Sequence, residues 1–122
     1  MKILIVDDAS IIRMLVRDIL VEFCKIPSDQ IYEAADGMQG LDGFKKHKPD
    51  IVFLDIAMPK LDGISAIDRI LEIEPEAKII MCTSTGSEAT VKQCMRAGAM
   101  DYLVKPLTAP RVVQAVNKVM EP

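Results

Sequence analysis

The sequence predicts an α/β fold, a parallel sheet with helices on both faces, and three observations predict it. Short β-branched runs alternate five times with amphipathic helical stretches along the whole chain. The runs are apolar throughout and lack in-and-out alternation, as strands buried on both faces do. Four of them end in residues suited to chemistry: Asp7-Asp8, Asp55, Thr83-Ser84 and Lys105. Strict βα alternation needs right-handed crossovers, and these lay helices over both faces of the sheet.

The elements follow in order. Lys2 to Val6 reads as the first strand, stopped by Asp7-Asp8. From Ser10 to Cys24, Ile11, Met14, Leu15, Ile19, Val21 and Phe23 interleave with charges as a helical stripe that ends before Pro27. Ile31 to Ala34 is a short second strand. Asp36-Gly37 turns into a helix carrying Met38, Leu41 and Phe44, which Gly40 and Gly43 each weaken by about 1 kcal/mol. Ile51 to Leu54 is the third strand and ends at Asp55. Asp62-Gly63 starts the third helix, with Ile64, Ile67, Ile70 and Leu71. Lys78 to Cys82 is the fourth strand, and its helix runs to Gly98, whose place suits a left-handed C-cap. Met100 to Val104 is the fifth strand. The last helix begins near Thr108 and Pro110, since proline suits a first helical turn, and carries Val112, Val113, Val116 and Val119.

A chain of 122 residues with this balance predicts one compact domain over 1–122. Half of the residues are hydrophobic and 27% are charged, which excludes a disordered segment. No run of about 18 apolar residues and no signal-peptide pattern occurs, so a cytoplasmic protein without membrane contact is expected. Cys24, Cys82 and Cys94 lack C-x-x-C spacing and lie in apolar stretches, which suits reduced core residues. The net charge of −3 argues against direct nucleic-acid binding, which needs a basic face. His47, among three lysines, reads as a solvated surface residue.

In a doubly wound sheet of five units the common strand order is 2-1-3-4-5, and ligands bind beyond the strand ends where the winding reverses. There Asp7, Asp8 and Asp55 meet. A single acid after a strand reads as a helix cap or a solvated loop, but three converging acids differ. Carboxylates about 4 Å apart repel by about 4 kcal/mol per pair at an effective dielectric of about 20, so the site calls for a counterion or raised pKa values. An open, all-oxygen site favours Mg²⁺, which keeps several waters and completes its shell with phosphate oxygens. A metal-bound carboxylate beside a hydroxyl and an ammonium suits phosphoryl transfer, with Asp55 as nucleophile and Thr83 and Lys105 on the remaining oxygens.

Ile5-Val-Asp-Asp8, Leu54-Asp-Ile-Ala-Met-Pro59, Asp62-Gly63, Cys82-Thr-Ser84 and Tyr102-Leu-Val-Lys-Pro106 together resemble the response regulator receiver family over the whole chain. The combination is specific, although each piece alone is weak. The resemblance implies a (βα)5 flavodoxin-like sandwich in the order 2-1-3-4-5, which is taken from the family rather than derived. It implies that Asp55 is the phosphoacceptor and that Asp8 and Asp55 ligate Mg²⁺ directly. Asp7 would act through water, and Ala57 would supply its backbone carbonyl. Thr83 and Lys105 would contact the phosphoryl group, Lys105 being presented by a cis bond to Pro106. Tyr102 matches the aromatic switch position, so Thr83 and Tyr102 form the expected switch pair. Ser84 stands where the family has a smaller residue.

Such a domain accepts a phosphoryl group and assists its own phosphorylation and dephosphorylation, rather than turning over a substrate. The implied partners are a sensor histidine kinase and a downstream target reached through the fourth helix, fifth strand and fifth helix. Asp8 to Met14 and Pro110 to Lys118 look most like the stand-alone chemotaxis regulators of the CheY type. A monomer acting alone on a target such as a flagellar motor switch protein is therefore expected. The alternatives are a receiver of another phosphorelay or of a transcription factor. A flavodoxin-like electron carrier fits less well, because Asp7 and Asp8 would repel a flavin phosphate. An aspartyl-phosphate phosphatase lacks its second acid, since Ala57 stands two residues after Asp55.

Overall fold

A computed structural model describes residues 1–121. Five strands, β1 (Ile3–Val6), β2 (Ile31–Ala34), β3 (Ile51–Asp55), β4 (Lys78–Thr83) and β5 (Asp101–Val104), alternate with five helices. These are α1 (Ser10–Phe23), α2 (Gly37–His47), α3 (Gly63–Ile73), α4 (Glu88–Ala97) and α5 (Ala109–Met120). All strand pairs are parallel, in the order β2-β1-β3-β4-β5, as the sequence predicts. Pro122, the last residue of the expected domain, lies outside the described residues.

The strands feed two separate cores because successive side chains point to opposite faces. Ile3, Ile5, Ile51, Phe53, Ile80 and Leu103 pack against α1 and α5. Leu4, Val6, Val52, Leu54, Ile79 and Met81 pack on the other face with Leu41, Phe44, Ile67 and Ile70. Each fully buried aliphatic or aromatic side chain stabilises the fold by about 1.5–3 kcal/mol. Truncating Phe53, which is buried at the centre, would cost about 3–5 kcal/mol.

Helix ends are set by side chains at hand. Asp36, Asp62 and Ser87 accept hydrogen bonds from the amides of Gln39, Ser65 and Thr90, capping α2, α3 and α4. Gly98 closes α4 at φ +118°, the left-handed C-cap expected for it. The two glycines within α2 answer to packing: a Cβ on Gly40 would meet Val6 at 2.8 Å, and one on Gly43 would touch Leu4. Tertiary contact with β1 thus carries a helix whose own propensity is low.

Two expectations are corrected. The face that α1 buries is Val16, Ile19 and Leu20, while Ile11 is 69% and Phe23 55% exposed. Apolar residues occupy both sides of this helix, so docking on α5 and β1 decides the face and periodicity does not. His47 stacks on the ring of Tyr32, with centroids 3.7 Å apart, rather than standing free in solvent. Cys82 and Cys94 are buried and Cys24 is half-buried, all as free thiols. Among the described residues no helix is long and apolar enough to cross a membrane.

Candidate functional site

Strand register builds the site. Val6 lies opposite Leu54 in the β1–β3 pair, so the next residues, Asp7 and Asp55, emerge side by side at the C-terminal edge. Thr83 lies opposite Val104 in the β4–β5 pair, so Lys105 leaves β5 at the same edge. Its amide donates to the Thr83 carbonyl at 2.7 Å, and the Lys105–Pro106 bond is cis. β1 and β3 are neighbours although α1, β2 and α2 separate them in sequence, and this is the switch point of the winding.

One oxygen from each of Asp7, Asp8 and Asp55 lies within 4.8 Å of the others. A hard cation about 2.1 Å from each ligand oxygen spans about 4.2 Å across its shell, so small rotamer changes would close the three around one ion. Asp7 and Asp55 are buried, whereas Asp8 is exposed and leaves the site open on one side. The Lys105 ammonium donates to Asp7 Oδ2 at 2.9 Å and stands 3.4 Å from Asp55 Oδ1. Its firmer bond is therefore to Asp7. Three carboxylates face one ammonium, and the site carries an excess of negative charge.

That excess shows in the protonation of its members. Burial, followed by the charge of Asp7, pushes the Asp55 carboxyl above its ordinary range, and Lys105 offsets this only in part. Burial pulls the Lys105 ammonium down, but the hydrogen bond to Asp7 and the charges of Asp55 and Asp7 outweigh it, and the net shift is upward. Burial pushes the Cys82 thiol, beneath the site, up to about 12, so it stays protonated and apolar in character.

Thr83 is buried at the end of β4, and its hydroxyl is engaged locally. It donates to the Thr85 carbonyl at 2.9 Å and accepts from the Thr85 amide at 3.0 Å. The sequence places Thr83 at the end of the fourth strand but does not show this turn, which engages the single donor hydrogen of the hydroxyl. Ser84 and Ala57 are exposed at the rim. Tyr102 lies one residue into β5 and is partly buried against the α2–α3–α4 core, apart from the acids. Sequence reasoning also missed a brace behind Asp7: Arg13 donates to the Asp7 carbonyl at 2.6 Å and to Glu33 at 2.9 Å. Its basic charge next to a helix start was the only signal.

The sequence model of the response regulator receiver domain matches residues 3–117. The chain belongs to the receiver family. This receiver is 44% identical over 119 residues to the chemotaxis protein CheY of Bacillus subtilis, covering 98% of this chain and 97% of that protein. It is 45% identical over 118 residues to CheY of Thermotoga maritima, covering 97% and 96%. Among solved structures it is similar to CheY in the CheX–CheY–BeF3–Mg complex of Borrelia burgdorferi. There the TM-score is 0.88 at 36% identity, covering 99% of this chain and 90% of that one. The acidic edge, with Asp7, Asp8 and Asp55 drawn together, lies within the matched residues of this receiver.

Proposed function

We propose that the protein is a phosphorelay switch of bacterial-type chemotaxis, whose receiver domain takes a phosphoryl group from a sensor histidine kinase onto Asp55. One observation carries it: three carboxylates and one ammonium converge where β1 and β3 end, with a threonine hydroxyl beside them. The all-oxygen donor set suits Mg²⁺, which Asp8, Asp55 and the Ala57 carbonyl would hold, with Asp7 acting through water. When bound, Mg²⁺ neutralises charge between the carboxylate and the incoming phosphate. An Asp55 oxygen forms the new bond to phosphorus as the bond to the imidazole nitrogen of the kinase breaks, and the proton on that imidazole completes neutral histidine. Lys105 and Thr83 hold equatorial oxygens.

The dianion on Asp55 then draws the Thr83 hydroxyl out of its turn with Thr85. This frees space into which Tyr102 rotates, and the surface of α4, β5 and α5 changes shape. The target docks there, and Met95 and Val104, 40% and 42% exposed, supply apolar contact. By analogy with its chemotaxis relatives, the target is a protein such as a flagellar motor switch component, and the receiver acts as a cytoplasmic monomer. It turns over no free substrate and assists only its own phosphorylation and dephosphorylation. Incubation with acetyl phosphate and Mg²⁺ tests the reading by intact mass. The wild type should gain one phosphoryl group and Asp55→Asn none; equal labelling of the two overturns it.

A further inference from the structure

Gly37 opens α2 and is not a member of the acidic cluster. Its backbone is not left-handed, for Gly98 alone among the described glycines has a positive φ. What Gly37 provides is space. A Cβ there would fall inside the van der Waals shell of the Leu61 carbonyl oxygen, and 2.7 Å from both the carbonyl carbon and Cβ of Leu61. Two of those atoms are backbone and cannot swing aside like a side-chain tip. Leu61 belongs to the β3–α3 loop, residues 56–62, which also carries Ala57.

The same loop is gripped at its other contact points. A Cβ on Gly63 would overlap the Asp55 carbonyl oxygen and lie 2.7 Å from Ile56 Cα, while the Gly63 amide donates to the Ile56 carbonyl at 2.8 Å. Lys60, held at φ +72°, places its ammonium 3.6 Å from Asp36, the residue that caps α2. The start of α2 therefore meets the loop through a backbone contact and an ion pair, three to four residues from Ala57. Backbone position matters there because Mg²⁺ demands near-ideal octahedral geometry.

We propose that Gly37 is a positioning residue for the metal site: by letting α2 close on Leu61, it sets the β3–α3 loop so that the Ala57 carbonyl faces the three aspartates. This rests on the magnesium reading above. The test titrates Mg²⁺ alone into the full chain by calorimetry, with thermal unfolding and amide NMR spectra alongside. Gly37→Ala should weaken Mg²⁺ binding about tenfold or more, as loss of a supporting shell does, and shift the amide signals of residues 56–62. Phe44→Leu, buried on the same helix away from the loop, should lower Tm and leave Mg²⁺ affinity within about twofold. Lys60→Gln, which removes an exposed charge and cannot unfold the core, should weaken binding about two- to threefold. A wild type that binds no Mg²⁺ sinks the metal reading and this inference with it. If the wild type binds and a folded Gly37→Ala binds as tightly, the positioning role alone is overturned. An equal loss in Phe44→Leu overturns it as well, since stability would then set the affinity. Should Gly37→Ala fail to fold, Lys60→Gln decides, and wild-type affinity in that variant overturns the proposal.

Discussion

Buried carboxylates lie at both edges of the same parallel sheet, Asp101 at one and Asp7 and Asp55 at the other. Asp101 begins β5 and is 4% exposed; its Oδ1 accepts from the Tyr102 amide at 2.8 Å. Arg111 and Lys118 stand 3.6 and 3.7 Å from that oxygen. Here one carboxylate meets two cations. At the other edge Asp7 and Asp55 share Lys105, with Asp8 clustered beside them. The first set is balanced by its own neighbours and serves the fold, whereas the second keeps a charge that the protein does not answer. Uncompensated charge held in a buried place raises the energy of the empty site, and a cation or a proton relieves it. That difference in charge balance, rather than burial, sets the acidic edge apart from Asp101.

The comparison breaks first at Asp8. Asp8→Ala should weaken Mg²⁺ binding by about 10–100-fold and slow phosphorylation, because one ligand of a small set is lost. Lys105→Ala should not weaken it, since it removes a positive charge from the same place. Calorimetry on both variants decides, and unchanged affinity in Asp8→Ala would show the surplus to be no metal site. Asp101→Ala should do the opposite, leaving Mg²⁺ affinity intact and costing about 1–3 kcal/mol of stability through the Tyr102 amide left without its acceptor, read by denaturant unfolding.

The proton offers a finer test. Asp55 has its folded pKa raised above the ordinary 3.8, so its proton stabilises the fold below that pH, and the stability is lost as pH rises through the raised value. In metal-free buffer Asp55→Asn should therefore melt several degrees above the wild type at pH 7, with the gap shrinking on acidification. Glu33 runs the other way. Burial pushes it up, but its bonds to Arg17 and Arg13 outweigh that and lower it below 4.5. Its contribution is present above that pH and fades as pH falls through the lowered value. Thermal melts of Glu33→Gln beside Asp55→Asn across pH 3–8 should show these opposite slopes.

The smallest effect lies between the two sets, along β5. Beryllofluoride with Mg²⁺ should shift the NMR signals of Val91 and Met95 on α4 and of the Tyr102 ring, while the Asp101 carboxylate, held by Arg111 and Lys118, stays near its place. Thr83→Ala should still bind the mimic and transmit less, the lost coupling being about 1–3 kcal/mol. Shifts confined to another face would move the output surface elsewhere.

Much of the site was legible because it follows strand ends. Asp7, Asp55 and Lys105 come directly after apolar runs, and a parallel sheet carries every such end to one edge. Other features were not legible because they depend on contacts between distant segments. Residues 7 and 105 are far apart in sequence, and only the packed sheet shows that Lys105 bonds Asp7 more closely than Asp55. The Thr83 hydroxyl gave no sequence sign that it is held by Thr85.

The amino-acid sequence by itself determined the order of the elements, the layering and the family, because hydrophobic runs, turn residues and the acids that end strands are local properties of the chain. Tertiary structure alone decided which face α1 buries, since its helix is apolar on two sides and only docking against α5 distinguishes them. It likewise decided what Gly37 is for. In sequence a glycine at a helix start is ordinary, and only the approach of Leu61, brought there by β3, makes the absence of a side chain a requirement. Local patterns carry local energies; the sign of a contact between distant segments exists only once the chain has closed on itself.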